Sequence, residues 1–304
     1  MSTPRRLLVT GATGKQGGAL IAALLAKPSH PFEIYAVTRN KASGSAQKLA
    51  QHPRVNIVEG NLDNIDAILG QVPQPLFGVF SVPILDKGYA KEEAQGKALN
   101  AAVVKAGVSH IVFTSTDRGG QAKSDSNPTN VPHFASKFRI EEDIKARAAA
   151  SEGKLTYTFL RPVAFFENLS NNFFGRAFVA MWRLNGDGKP LQQIATSDIG
   201  KIAAEAFLNA ESPEYKNLGI SLAGDKLSPN DAARIFKEET GQELPTTYSW
   251  LGGLIRWMVG DLHHMFAWFR SDGFGVDVKD LRKRYPFLKD FRAWLQEESA
   301  WKKT

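Results

Sequence analysis

Apolar residues along the chain follow two alternating patterns. Short runs rich in β-branched and aromatic residues lie at 6-RLLVT-10, 33-EIYAVTR-39, 54-RVNIVEG-60, 76-LFGVFSV-82, 108-VSHIVFTST-116 and 155-LTYTFLRP-162. Runs of this length, bounded by glycine, proline or polar residues, predict buried strands. Longer stretches with helical spacing lie between them, at 17–27, 43–52, 62–70, 90–107 and 134–150. Pro28 stops the first of these, while Gly70 and Gly107 are placed to end the third and fourth. Strand and helix in strict alternation imply a parallel sheet covered on both faces. Right-handed crossovers then leave the doubly wound α/β fold as the economical topology.

The alternation loosens after Pro162. Segment 164-AFFENLSNNFFGRAF-178 is aromatic and rich in amides. A helix is predicted at 198–210 with Asp198 as its cap, and a strand at 217–224. Another helix is predicted at 228–241, punctuated by Ser228, Pro229 and Gly241. The aromatic stretch from Trp250 to Phe269 fits three roles equally: an apolar pocket, a small-domain core or a partner surface. The expected organisation is a Rossmann domain over 1–163 and a smaller α/β domain over 164–304, partly interleaved with the first. The polar loop 119-GGQAKSDSNPTN-130 is expected to be mobile.

The remaining composition narrows the picture. With 304 residues and 43% hydrophobic content, the chain can bury a sizeable core. No run of roughly 18 apolar residues occurs, so neither a membrane span nor a membrane partner is expected. Cysteine is absent, which excludes disulfides, thiol catalysis and cysteine-held metal. The expectation is an intracellular, cytoplasmic protein, with the nucleus left open. The net charge of +7 is spread along the chain, and 279-KDLRKR-284 looks like an exposed helix face, so nucleic-acid binding has little support. His263 and His264 are adjacent and point apart on a helix, a poor metal pair; no metal is expected.

The chemistry begins at 7-LLVTGATGKQGG-18, where Gly11, Gly14 and Gly17 follow the first strand and open the first helix. In that context the glycines predict a diphosphate turn. Gly11 turns the chain, Gly14 admits the phosphates to the backbone, and Gly17 lets the helix pack tightly on the sheet. The helix amides hold the anion, and Thr13, Lys15 and Gln16 are placed to add polar contacts. The second strand ends in 36-AVTRN-40, with no acid for a ribose hydroxyl and with Arg39 in reach of a 2′-phosphate. NADP(H) is therefore expected in preference to NAD(H).

Taken together, 11-GATGKQGG-18, 38-TRN-40, 95-QGKALNAAVVKAGVSHIVFTS-115, 133-HFASK-137, 161-RPVAFFENL-169 and 285-YPFLKDFRAWL-295 resemble the NmrA-like proteins. These are an atypical branch of the short-chain dehydrogenase/reductase superfamily. The resemblance implies a Rossmann domain with a smaller C-terminal domain and a cofactor in the cleft they share. It also implies that Arg39 and Asn40 lie near the 2′-phosphate and Asn61 near adenine, with Val82 and Pro83 on the ribose side. Lys137, a candidate catalytic residue, would lie on the nicotinamide ribose, and Phe165, Phe166, Glu167 and Asn168 would close over the nicotinamide. Where ordinary members of the superfamily carry a Tyr four residues before the Lys, this chain has His133. Three roles stay open for His133: packing or capping at a helix start, contacting a ligand, or donating a proton. The expected function is an NADP(H)-binding sensor or regulator acting through a protein partner. The alternative is an NADPH-dependent reductase of an apolar, hydrophobic metabolite.

Overall fold

A computed structural model describes residues 4–27, 29–83 and 88–301. Its elements in chain order begin with β1 (Arg5–Val9), α1 (Lys15–Leu25), β2 (Phe32–Thr38), α2 (Gly44–Ala50), β3 (Val55–Glu59), α3 (Ile65–Leu69) and β4 (Gly78–Ser81). Next come α4 (Tyr89–Lys105), β5 (His110–Thr114), α5 (Gln121–Ser124), α6 (Pro132–Ala150), β6 (Thr156–Pro162) and β7 (Ala164–Phe165). A 3-10 turn at Phe166–Asn168 leads to α7 (Phe173–Arg183), β8 (Leu191–Ile194), α8 (Thr196–Leu208), β9 (Leu218–Leu222) and β10 (Asp225–Leu227). The chain finishes with α9 (Pro229–Thr240), α10 (Ser249–Met258), α11 (Gly260–Ser271), α12 (Val278–Arg284) and α13 (Phe291–Glu297).

The main sheet has the order β3-β2-β1-β4-β5-β6-β9. Pairings from β3 through β6 are parallel, with Leu7 opposite both Ile34 and Gly78. The order reverses between β1 and β4, so the loops leaving those two strands diverge there. In an open parallel sheet this is where a ligand finds room. Thr10 fixes the junction: its hydroxyl donates to Phe80 O at 3.0 Å and accepts from Val82 N at 2.8 Å.

The chain forms two compact units, but they are not separated by one cut after 163. The first holds 1–115, 136–160 and 199–220; the second holds 116–135, 161–198 and 221–304. Residues 199–220 return to the first unit because β9 joins the main sheet beside β6. In that unit, Leu8, Val79, Ile111, Phe113, Ile140 and Phe159 are among the buried residues of one apolar core. The second unit has its own core, which includes Phe166, Trp182, Phe236, Phe266, Trp268 and Trp294. It also holds a small sheet in which β8 pairs with β7 in parallel and with β10 antiparallel.

Three expectations change. Asp198 does not cap a helix from outside; α8 starts at Thr196, and the fully buried Asp198 carboxylate accepts from Lys289 N at 2.7 Å and Nζ at 3.3 Å. The 119–130 loop is tied down around buried Asp117. That carboxylate accepts from Gly119 N, Gly120 N, Gly275 N, Ser124 Oγ and Ser221 Oγ, all between 2.6 and 3.2 Å. The aromatic stretch divides: Phe266, Trp268 and Phe269 on α11 are core, while Trp250 and Trp257 on α10 are exposed. By contrast, Ser228, Pro229 and Gly241 punctuate α9 as expected, with Ser228 accepting from Asp231 N and Gly241 left-handed.

Candidate dinucleotide-binding site

The turn from β1 to α1 is built by its glycines. Gly11 has φ +60°, a conformation that costs a side chain roughly 1–2 kcal/mol, and a Cβ there would stand 3.4 Å from Val82 Cβ. Gly14 N donates to Gly11 O at 2.9 Å, closing the turn. Gly17 is the tightest of the three, because a Cβ would lie 2.4 Å from Gly11 O and 2.9 Å from Thr10 O. Gly17 therefore lets α1 press onto the carbonyls of its own turn, a closer neighbour than the expected sheet.

No side chain caps α1 at Gly14, and no acid occupies its first turn. The first amides of the helix, with the positive end of its dipole, form an anion site in the absence of a competing carboxylate. Thr13, Gly14 and Lys15 are exposed and Gln16 half-buried. Gln16 Oε1 is buried with no hydrogen-bond partner.

At the end of β2, Thr38 O accepts from Gly60 N and its hydroxyl accepts from Asn40 N at 3.3 Å. Asn40 Oδ1 accepts from Ala42 N at 2.9 Å, shaping the turn into α2. Arg39 is exposed at this turn. Asn61 uses its carbonyl oxygen on Asp63 N at 3.1 Å and so forms the turn after β3. Val82 and Pro83 are half-buried at the end of β4, directly before the undescribed residues 84–87.

Lys137 donates to Glu92 Oε1 at 2.8 Å, and Ser136 Oγ donates to Glu92 Oε2 at 2.5 Å. Glu92 is 1% exposed, so its charge is held by these two partners and little water. The packing of α4 on α6 sets the geometry. Gly96 lies so close that a Cβ would meet Ile140 Cδ1 at 2.6 Å. One turn earlier on each helix, the same approach brings Glu92 to Ser136 and Lys137. Glu92 was missed from sequence, although it falls on the buried stripe with Gln95, Gly96, Leu99 and Val103.

In the second unit, His133 Nδ1 lies 2.7 Å from Asp261 Oδ2, and His133 N donates to Asp261 Oδ1 at 3.4 Å. Burial pushes the Asp261 carboxyl up, but the imidazole contact, its charge and the backbone N–H leave the pKa below the usual carboxylate value. Asp261 is the partner that sequence spacing could not disclose, being 128 residues away.

The FFEN stretch divides between the core and the start of α8. Phe166 has no exposed surface and stacks on Trp294 at 5.5 Å between centroids, within the core of the second unit. Glu167 Oε1 accepts from Thr196 N at 2.8 Å and Oγ1 at 2.7 Å, anchoring the start of α8. Phe165 and Asn168 are half-buried, and Phe165 pairs with Ile194 in the small sheet. At the end of β5, Thr114 and Ser115 are buried, while Thr116 Oγ1 donates to Pro162 O at 3.3 Å. Among the described residues, no cluster of three metal-capable side chains occurs, and no helix is long and apolar enough to cross a membrane.

A parallel sheet with a glycine turn, an open helix N-terminus and a switch point beside it defines the doubly wound dinucleotide-binding class. The NmrA-like family model matches residues 3–283, and the chain belongs to that family. The NmrA-like family domain-containing oxidoreductase lnaB of Aspergillus flavus is 32% identical over 121 residues, covering 38% of this chain and 35% of that protein. The chloroplastic divinyl chlorophyllide a 8-vinyl-reductase of Cucumis sativus is 25% identical over 283 residues, 86% of this chain and 63% of that protein. The chain thus spans about a third and somewhat under two thirds of these two relatives. Among solved structures, the negative transcriptional regulator NmrA in complex with NAD superposes with a TM-score of 0.73 at 18% identity, covering 98% of this chain and 96% of that one. The same regulator in complex with NADP gives 0.71 at 18% identity, covering 98% and 96%. At that identity the likeness establishes the fold.

Proposed function

We propose that the chain binds NADP(H) at the β1–α1 turn and works as a dinucleotide-responsive regulator that acts through a protein partner. The observation that carries the binding is the open N-terminus of α1, free of any side-chain cap or first-turn acid, behind a left-handed Gly11. The donor set fits a dinucleotide: bare amides and Lys15 for the diphosphate, and exposed Arg39 for the 2′-phosphate. Gln16 Oε1 offers an acceptor to a ribose hydroxyl. The NAD- and NADP-bound structures of a protein with the same fold support this reading.

Two features favour regulation over turnover. The tyrosine of the reductase pattern is replaced by His133, and both candidate catalytic groups are engaged, Lys137 with Glu92 and His133 with Asp261. The reductase reading draws on the relatives named as reductases or oxidoreductases and on the Asp261 carboxylate, which lies 2.7 Å from His133 Nδ1 and orients the ring. In that reading NADPH supplies the hydride and His133 the proton.

Calorimetric titration with NADP+ and NAD+ tests the site. Arg39→Ala is expected to weaken NADP+ by about 1.5–3 kcal/mol while leaving NAD+ nearly unchanged. Equal losses for both remove Arg39 from the site, and no heat with either dinucleotide removes the proposal. Oxidation of NADPH by a panel of quinones, enones, imines and aromatic dyes, lost in His133→Ala, would select the reductase.

A further inference from the structure

The second unit carries an apolar face that its own core does not explain. Helix α10 is apolar on both sides. Its inner side packs through Gly252, where a Cβ would stand 2.9 Å from Ala180 Cβ, and through Ile255 against the core. Its outer side presents Trp250, Leu254, Trp257 and Met258, spaced i, i+4, i+7, i+8, at 69%, 42%, 75% and 68% exposure. A globular helix ordinarily turns a polar face to water, so this stripe is surplus to folding.

The neighbouring helix continues it. Thr247 N donates to Arg176 O, and Gly252 meets Ala180, so α7 and α10 run side by side in the same direction. Exposed Phe174 and Tyr248 stand at the shared start of the pair. On α7 and α10 themselves the charge has one sign. No Asp or Glu occurs between Glu167 and Asp187, or between Glu243 and Asp261, whereas Arg176 and Arg183 are exposed on α7. Arg176 is held by a neutral amide, Asn171 Oδ1, at 2.8 Å. Glu243, between α9 and α10 and within range of the Arg183 charge, is paired with Lys237 at 2.6 Å.

We propose that the α7–α10 face is a docking surface for an anionic lipid bilayer, lying in the headgroup plane with its aromatic side chains inserted. Trp, Tyr and Phe beside arginine, with no carboxylate on either helix, is the chemistry of a helix that rests on an acidic membrane surface. A second copy of the chain is the poorer occupant. A two-fold contact sets the patch against itself, bringing the Arg176 and Arg183 pairs of two chains of net charge +7 together. Among the described residues no helix is long and apolar enough to cross a bilayer, so the proposed contact is interfacial.

The test uses the full chain with phosphatidylcholine vesicles and with vesicles containing about one third phosphatidylglycerol. The six tryptophans all lie in the second unit, so their emission reports on it. We expect co-sedimentation and a blue shift with the anionic vesicles only, abolished by about 0.5 M NaCl through screening. Trp250→Ser with Trp257→Ser, and separately Arg176→Glu with Arg183→Glu, should each weaken partition roughly tenfold or more. The substituted side chains are exposed, and unchanged circular dichroism melts will show that the variants fold. Failure to bind anionic vesicles, or equal binding by the variants, overturns the proposal. A lipid-free dimer in sedimentation velocity that the tryptophan variant dissolves also overturns it, and gives the face to a second copy.

Discussion

Gly17 and Gly18 are adjacent, both helical and chemically identical, yet alanine should act on them with opposite sign. In the interior of a helix, alanine gains about 0.5–1 kcal/mol over glycine by restricting the unfolded chain. At Gly18 that gain is available, since the new Cβ meets only Ala12 O at an ordinary 3.4 Å. At Gly17 the Cβ would sit 2.4 Å from Gly11 O, 2.7 Å from Gly11 C and 2.9 Å from Thr10 O. All three are backbone atoms of the phosphate turn and cannot rotate away. Relief requires α1 to lift off the turn by most of an ångström. Overpacking of this kind costs about 1–3 kcal/mol, and the upper end is expected where backbone meets backbone. After the propensity gain, Gly17→Ala should lose about 2 kcal/mol, some 2.5–3 kcal/mol below Gly18→Ala. Melts followed by far-ultraviolet circular dichroism, with hydrogen exchange over the β1–α1 segment, read the difference. Dinucleotide titration adds a second readout, because the lifted helix withdraws its amides. If Gly17→Ala melts with or above Gly18→Ala and exchanges no faster at α1, the close-packed turn is wrong.

Further outcomes concern buried charge. Lys137→Met leaves Glu92, 1% exposed, with Ser136 alone, and should destabilise by about 3–5 kcal/mol in chemical denaturation; adding Glu92→Gln should restore a good part of it. His110 is buried between Thr156 Oγ1 at 2.7 Å and Thr158 Oγ1 at 3.1 Å, and desolvation lowers its pKa from 6.5 to about 4. Its folded pKa lies below its unfolded one, so below about pH 6.5 the unfolded chain takes a proton that the folded chain refuses. Stability should then fall by up to about 3 kcal/mol between pH 6.5 and 4, and His110→Asn should flatten that part of the stability–pH curve. Asp117→Asn turns one accepting oxygen into an NH2 that faces three of the five donors and should cost about 3 kcal/mol or more, with proteolysis appearing within 119–130.

The local signals were legible in the chain where a short range of residues sufficed. Alternating apolar runs specified the parallel sheet, because a strand buried on both faces has nowhere to place polar residues. The glycines at 11 and 17 specified the turn, because φ +60° favours a residue without Cβ and a 2.4 Å approach to a carbonyl requires one. Ser228, Pro229 and Gly241 specified α9, because capping acts within one helical turn.

Contacts between distant segments had to wait for the tertiary structure. Glu92 becomes the partner of Lys137 only because Gly96 lets α4 close on α6. Asp261 meets His133 across 128 residues, and Asp117 meets Gly275 across 158. Residues 199–220 return to the first unit because a strand can join a sheet edge from anywhere in the chain. The aromatic stretch makes the division clearest. Its composition specified a large apolar area. Which tryptophans face the core and which face outward was decided by the packing of α10 on α7, since sequence sets how much surface must be hidden but only three-dimensional packing sets what hides it.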